Sequence, residues 1–268
     1  MTVIEKTRAV ALRVTPFSRT SHVVTWFTPD HGRLTTLVKG ACRPKSQFLG
    51  QYDLYYTCEL VYYGRESRGV PIARECTPIE TREPLRRDWR AALCAGYASD
   101  LTLYCSPPGE VIRGHFATIE RLFDSLAESG SHRNLMPWFE LQLLGSLGLA
   151  PRLTTCSLCG GAAPAGMPLT IAPRQGGAIC SRCEPRHTEG SRLTVSADAL
   201  DLLRALQRSA SPRLPASTPC RREAWLEFGR LLGMLLVEHL GVMPAQRQRT
   251  AALLGDSGQL PWPEENRI

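Results

Sequence analysis

Two pairs of cysteines, each pair separated by two residues, constrain this chain more than any other feature. Cys156 and Cys159 form the first pair, and Cys180 and Cys183 form the second. Each pair can turn two sulfurs toward one point, and two such pairs complete the tetrahedral four-thiolate shell of a zinc site. The spacing therefore predicts one zinc ion held by these four cysteines.

A shell of four sulfurs leaves no coordination position for water or a substrate, so we expect this zinc to be structural rather than catalytic. The pairs Gly160-Gly161 and Gly176-Gly177 can supply the left-handed turns that such a ribbon needs. Ordinary free thiols or a disulfide are the alternatives, and His187 is a further candidate ligand.

Composition permits an anionic partner without identifying one. The 268 residues are 43% hydrophobic, enough for a sizeable core, and the formal net charge is +7. No signal peptide pattern follows Met1, and the six cysteines outside the two pairs show no framework spacing. The longest strongly apolar run, 231–237, is too short to span a bilayer. We therefore predict a soluble, cytoplasmic protein.

Short strands are predicted in the first eighty residues. Alternating or β-branched stretches cover 8–14, 21–28, 33–39, 51–61 and 70–75. Turn signals such as Pro29-Asp-His-Gly32 separate them. Five short strands in such a segment are typical of a small barrel, and the OB-fold is the natural candidate, although an SH3-like barrel has the same pattern.

Helical periodicity replaces this pattern after residue 81. Helices are predicted over 85–104 and 110–126, in a run containing Pro137, from Ser196 onward, and over 221–240. Their apolar stripes, which include Trp89 in the first helix and Trp225 in the last, are expected in the core. Gly241 is the predicted C-terminal stop.

The predicted fold class is α+β multidomain, with an N-terminal five-stranded OB-fold barrel and an all-α domain interrupted by a zinc ribbon. The barrel is assigned to 1–80, and the tail of the chain, 244–268, is expected to be flexible. The helical domain is assigned to 81–151 and 193–243, with the ribbon inserted at 152–192. Zinc can stabilise such an insertion without a core of its own.

A basic segment between the third and fourth predicted strands is the candidate for contact with a polyanion. It contains Lys39, Arg43 and Lys45, and no acidic residue lies between Asp30 and Asp53. Loops of an OB-like barrel can present cations to a phosphate backbone, although a solvated loop fits equally well. Neighbouring aromatic residues are expected in the barrel core: Phe48, Tyr52, Tyr55 and Tyr56. The candidate nucleic-acid-binding residues are Arg19, Arg33, Lys39, Arg43 and Lys45.

Motifs for catalysis are missing. The chain has neither a P-loop nor His-Glu-x-x-His. Gly255-Asp-Ser-Gly258 superficially resembles a serine-protease nucleophile segment but has no histidine or aspartate partner that can be argued. We therefore expect no catalytic residues and no enzymatic activity.

Two stretches resemble the bacterial RecO family of DNA repair proteins, which are recombination mediators. They are Val38-Lys-Gly-Ala-Cys-Arg-Pro-Lys-Ser46, and Phe139-Glu-Leu-Gln-Leu-Leu-Gly-Ser-Leu-Gly148 leading into Cys156-x-x-Cys159-Gly160. The similarity covers 5–241. It implies an N-terminal OB-fold, a helical C-terminal domain and, in many members, a zinc ribbon. Cys42 stands where the family usually has one of two adjacent arginines, so one loop cation is missing here.

The resemblance also implies a function. Members bind single- and double-stranded DNA, anneal complementary strands and act with RecR to load RecA onto DNA coated by single-stranded DNA-binding protein (SSB), with no nuclease or ATPase activity. A nucleoid-associated location follows. A zinc-ribbon scaffold whose main partner is protein or RNA is the alternative, and a metal-dependent nuclease would need a carboxylate cluster that the sequence does not display.

Overall fold

The computed structural model describes residues 3–64, 69–132, 134–164, 166–186, 190–212 and 221–241, together with 247 and 250. The chain divides into two compact units, Met1–Ser131 and His132–Ile268. His187, the segment Gly255–Gly258 and most of the predicted tail lie outside the described residues. Within the described part, no helix is long and apolar enough to cross a membrane. The domain boundaries given above stay a prediction.

A closed five-stranded barrel forms the first part of unit Met1–Ser131. Its strands are β1 (Ile4–Ser18), β2 (Ser21–Thr28), β3 (Gly32–Val38), β4 (Thr57–Tyr63) and β5 (Ile72–Glu80). They follow one another around the barrel in the order β1-β2-β3-β5-β4, and β4 pairs with β1 to close it. Every pairing is antiparallel except that of β3 with β5. This closed Greek-key barrel is the predicted OB-fold.

Strand β4 begins later than predicted. The stretch 51–56 was predicted as strand but is turn and loop. Asp53 accepts a hydrogen bond from the N–H of Leu54 at 2.7 Å, and Tyr55 adopts a left-handed backbone with φ of 68°. Because an aspartate side chain that bonds the adjacent backbone favours a turn, local chemistry prevails here over the apolar pattern.

The barrel core is filled by side chains from all parts of the sheet. Val24, Trp26 and Leu60 are fully buried. The indole N–H of Trp26 donates to the Thr36 hydroxyl at 2.9 Å, so the largest core side chain has its polar atom satisfied. The core thus combines apolar packing with few polar atoms that lack hydrogen-bond partners. A core packed in this way fixes the positions of the loops that leave the barrel.

Two helices complete the first unit, α1 (Trp89–Cys105) and α2 (His115–Ser129), with a short 3-10 helix at Glu83–Arg86. The carboxylate of Asp88 accepts the N–H of Arg90 at 2.9 Å and caps α1 at its start. The prediction that Trp89 lies in the core is wrong, since 57% of it is exposed. As the first residue of α1, it extends beyond the packed turns.

Unit His132–Ile268 contains α3 (Leu135–Ser146), α4 (Ala197–Arg208) and α5 (Arg222–Leu240). The Ser196 hydroxyl accepts the N–H of Ala199, which confirms the predicted start of α4. Gly241 has φ of 73° and its N–H donates to Val237, which confirms the predicted end of α5. The predicted α5 stripe is buried: Trp225, Phe228, Leu232 and Leu235.

Between α3 and α4 lies a three-stranded antiparallel sheet. Its strands are β6 (Leu169–Ala172), β7 (Gly177–Ile179) and β8 (Leu193–Val195), in the order β7-β6-β8. Arg247, which falls in the segment predicted to be a flexible tail, is buried and donates from Nε to Glu140 at 2.5 Å. At this position the chain packs against α3.

Candidate metal centre and nucleic-acid surface

The four cysteines of the two pairs come together in space. The sulfurs of Cys156, Cys159, Cys180 and Cys183 all lie within 4.8 Å of one another. The Sγ atoms of Cys159 and Cys180 are 3.8 Å apart. This is far beyond a disulfide bond of about 2.05 Å. It equals the edge of a tetrahedron with metal–sulfur bonds of about 2.3 Å, which is about 3.8 Å.

Backbone turns position each pair. In the first turn, the N–H of Cys156 donates to Gly161 at 2.7 Å and the N–H of Gly160 donates back to Cys156 at 2.9 Å. Gly160 has φ of 72°, a left-handed conformation that glycine adopts without penalty. In the second turn, the N–H of Cys183 donates to Cys180 at 2.9 Å. Both sequence pairs therefore form tight knuckles.

The two knuckles are held together by a close backbone contact. The N–H of Arg152 donates to the carbonyl of Gly176, and the N–H of Ala178 donates to the carbonyl of Arg152, each at 2.8 Å. Gly177 lies between these two bonds and has φ of 149°. A Cβ at Gly177 would lie 2.2 Å from the carbonyl oxygen of Arg152, so only glycine fits. The predicted need for glycine beside the second knuckle is confirmed. Its cause is the close approach of the backbone of Arg152.

The electrostatics of the first knuckle favour thiolates, whereas in the second the hydrogen bond with Cys180 and then burial raise the pKa of Cys183 to about 12. Burial raises the pKa of the Cys156 thiol, but the N–H groups of Cys180, Cys159 and Leu158 donate to its sulfur and hold the pKa at about 6. The N–H of Gly161 and then the guanidinium of Arg182 lower the pKa of Cys159. Four thiolates this close repel one another, so a thiophilic cation is what would neutralise them.

The donor set fits a metal ion in a closed shell. All nine described cysteines are unbridged, so free thiols are available and the disulfide alternative is wrong. Four sulfurs fill a tetrahedral shell, which leaves no position at which a substrate can bind. The four cysteines can therefore hold a metal ion that supports the ribbon rather than one that performs chemistry.

The predicted cation loop, residues 39–46, lies at the exit of β3. Lys39, Arg43 and Lys45 are all exposed. Within the described residues none of the three forms an ion pair, although other exposed cations do, such as Lys6 with Glu59 at 2.8 Å. Three cations without acidic partners leave this end of the barrel electrostatically positive.

Arg19 lies at the same end of the barrel. It occupies the turn between β1 and β2, and it too is exposed and forms no ion pair with any described residue. The N–H of Cys42 donates to Thr20 at 3.1 Å, and the N–H of Gly40 donates to the Ser21 hydroxyl at 3.2 Å. The structure therefore joins Arg19 to the cation loop; we call the set Arg19, Lys39, Arg43 and Lys45 the cation surface.

Arg33 is not part of this surface. It lies near the start of β3, six residues from Lys39, which at about 3.3 Å per residue is the opposite end of the strand. Its guanidinium donates to the carbonyl of Leu103 at 3.0 Å, in the last turn of α1. Because the last carbonyls of a helix lack partners within the helix, this contact caps α1.

Three of the four aromatic residues near the loop pack inward, as predicted, but the prediction is wrong for Tyr55, whose ring packs against Phe123 of α2 with the ring centroids 5.1 Å apart. Phe48 and Tyr56 are 6% and 7% exposed, and Tyr52 packs against the barrel core. Sequence reasoning missed one contact: the Cys42 sulfur lies 3.2 Å from His22 Nε2, and His22 Nδ1 lies 2.8 Å from the Tyr52 hydroxyl. His22 lies on β2, 20 residues before Cys42 and 30 residues before Tyr52, so no local pattern signals their contact.

Two family models match the chain over almost all of the two units. Residues 1–82 match "Recombination protein O N terminal", and residues 86–248 match "Recombination protein O C terminal". Together the two models account for the barrel, both sets of helices and the cysteine cluster.

Individual proteins are also similar over most of their length. The "DNA repair protein RecO" of Myxococcus xanthus is 31% identical over 238 residues, which covers 87% of this chain and 91% of that protein. The protein of the same name from Moorella thermoacetica is 26% identical over 96% of this chain and 94% of its own. That from Rhodopirellula baltica is 30% identical, with 78% and 77% covered.

Proposed function

Because the chain belongs to the recombination protein O family of DNA repair and recombination proteins, we propose that it is a non-enzymatic recombination mediator. In this proposal it binds single- and double-stranded DNA and anneals complementary strands. With RecR, it helps to load RecA onto DNA coated by SSB, and it works in the cytoplasm on the nucleoid.

The cation surface is the observation that supports DNA binding most directly. Four exposed cations without ionic partners among the described residues lie on one end of an OB barrel. OB barrels bind single strands by running the phosphate backbone past such groups, while aromatic side chains contact the bases. Contacts of this kind hold a strand without reading its sequence, which suits a protein that must anneal any pair of complementary strands.

For the cysteine cluster we propose one structural Zn²⁺ per chain, bound by Cys156, Cys159, Cys180 and Cys183. The separation of 3.8 Å between two of the sulfurs and the N–H donors around Cys156 support this choice. Zinc would hold the two knuckles together and thereby stabilise the short sheet of β6, β7 and β8. No reaction is assigned to the ion.

An annealing assay with purified protein tests the proposal. Complementary labelled strands, bare or coated with SSB, are mixed with the protein without any nucleotide, and duplex formation is followed with and without RecR. We expect faster annealing without ATP, together with capture of RecR in a pull-down. A strict ATP requirement would contradict the proposal, and strong binding to RNA or protein without DNA binding would favour the scaffold alternative.

A further inference from the structure

Phe17 is the most exposed large hydrophobic residue among those the structure describes. It is 65% exposed and lies near the end of β1. Its exposure has a local cause. The register of β1 against β2 passes from Pro16 opposite His22 to Ser18 opposite Ser21, so Phe17 has no partner residue on β2. A bulge of this kind re-aims a side chain, and bulges are frequent next to functional sites.

The hairpin that carries Phe17 also carries one member of the cation surface. Arg19 follows Phe17 by two residues, in the turn before β2. The same turn is bonded to the cation loop through Thr20, which accepts the N–H of Cys42 at 3.1 Å. The exposed ring and the four cations therefore belong to one connected end of the barrel.

The neighbouring groups narrow down what the ring can contact. An apolar protein partner would be matched by further apolar surface, whereas the two residues that follow Phe17, Ser18 and Arg19, are polar and exposed. The partner should therefore be a polyanion, to match the cations, and should expose flat apolar groups, to match the ring of Phe17. Single-stranded DNA has this chemistry, since its phosphates suit the cations and its bases stack on aromatic rings.

We propose that the ring of Phe17 stacks on an unpaired DNA base while the cation surface holds the adjacent phosphates. This inference rests on the proposed function, and it adds a residue that distinguishes single strands from duplex. Bases in a duplex are paired and stacked on each other, so a duplex offers no free base face on which the ring of Phe17 can stack. The cations, in contrast, contact phosphates in either form.

The substitution Phe17→Ala tests this. We expect the affinity for single-stranded DNA to fall about fivefold or more, the lower end of the effect of losing one base–aromatic stack. The affinity for a duplex of the same length should not change. Because stacking releases no counterions, the loss should be the same factor at every salt concentration, and the log–log salt slope should stay as in the wild type.

Two further variants make the result decisive. Phe17→Trp keeps a stacking ring, so it should retain single-strand affinity and gain fluorescence quenching on binding beyond that of the wild type. Tyr104→Ala removes another exposed aromatic residue, 56% exposed in the last turn of α1 beside the carbonyl that Arg33 caps, and should leave affinity unchanged.

Failure of this inference is separable from failure of the proposed function. Unchanged single-strand affinity in Phe17→Ala, with DNA binding still weakened by loss of Lys39, Arg43 and Lys45, would overturn only the role of Phe17. An equal loss for single strands and duplex would also overturn it, because stacking on unpaired bases cannot act on duplex. If neither set of substitutions affects binding, the proposed DNA surface itself is wrong.

Discussion

Nε of Arg82 lies 2.7 Å from a carboxylate oxygen of Asp124, and this ion pair connects the segment after the barrel to α2. The Arg82 side chain is only 3% exposed. Its Nη1 also donates to the carbonyl of Tyr55 at 2.8 Å and to the Thr57 hydroxyl at 2.9 Å. A buried guanidinium is stable at this position because its Nε and Nη1 meet acceptors, while Nη2 lies 4.0 Å from the carboxylate of Glu120.

Asp124→Ala should therefore destabilise the protein, because Arg82 keeps its burial but loses its closest carboxylate. We expect the free energy of unfolding in urea to fall by about 1.5–3 kcal/mol, as for a hydrogen bond to a charged group. Asp100→Ala is the matched control, since Asp100 pairs with Arg13 at an exposed site and should cost about 0–1 kcal/mol. Equal losses would contradict the structural role of Arg82.

Replacing one cysteine of the cluster should remove the metal. Cys159→Ser is expected to lose stoichiometric zinc in elemental analysis and to give less soluble protein, because metal binding supplies the folding free energy of the ribbon. Cys105→Ser, outside the cluster, should bind zinc as the wild type does. A wild-type preparation that is fully folded but contains no zinc would contradict the assignment.

Removal of the three loop cations should weaken DNA binding electrostatically. In K39A/R43A/K45A, each lost phosphate contact should flatten the slope of log affinity against log salt by about 0.7 to 0.9, so the loss is largest at low salt. Zinc content should not change. Arg87→Ala, which removes an exposed arginine elsewhere, should leave the slope as it is. An unchanged slope in the triple variant would mean that DNA binds by another path.

A substitution at position 42 should increase the affinity for DNA. Cys42→Arg restores the second loop arginine that the family resemblance implies, and it should tighten DNA binding and steepen the salt slope by about 0.7 to 0.9. Cys42→Ser is the control, because it removes the sulfur that lies 3.2 Å from His22 without adding charge. If both variants bind alike, the added charge does not reach the phosphates.

Acid should destabilise the first unit through His115. This imidazole is fully buried, and burial lowers its pKa from 6.5 to about 3. Between these two values the unfolded chain binds the proton and the folded chain does not, so stability falls as pH falls, by at most about 1.4 kcal/mol per pH unit. His115→Gln should show a shallower fall between about pH 6.5 and pH 5 in urea unfolding. The same fall in both proteins would contradict this origin.

Local patterns predicted most of the fold, and long-range partners account for the side-chain contacts that those patterns missed. The strand alternation, the Ser196 cap and the cysteine spacing each depend on residues that are close together in the sequence, so the sequence alone could predict them. Arg33 resembled the loop cations in sequence, but its partner is the carbonyl of Leu103, which lies on another element. The pairing of Arg82 with Asp124 is of the same kind, since it forms only once α2 has packed.

The loop between β3 and β4 is anchored at its middle. Phe48 and Tyr52 pack into or against the barrel core, and Gln47 donates to the carbonyl of Arg74 at 2.8 Å. The backbone of residues 39–45 therefore becomes ordered when the barrel folds and does not need a bound ligand to order it. Under the proposed function, a DNA strand bound at this loop would not have to supply the entropy of arranging it. The cost of preorganisation would then fall on the stability of the barrel and not on the affinity for DNA.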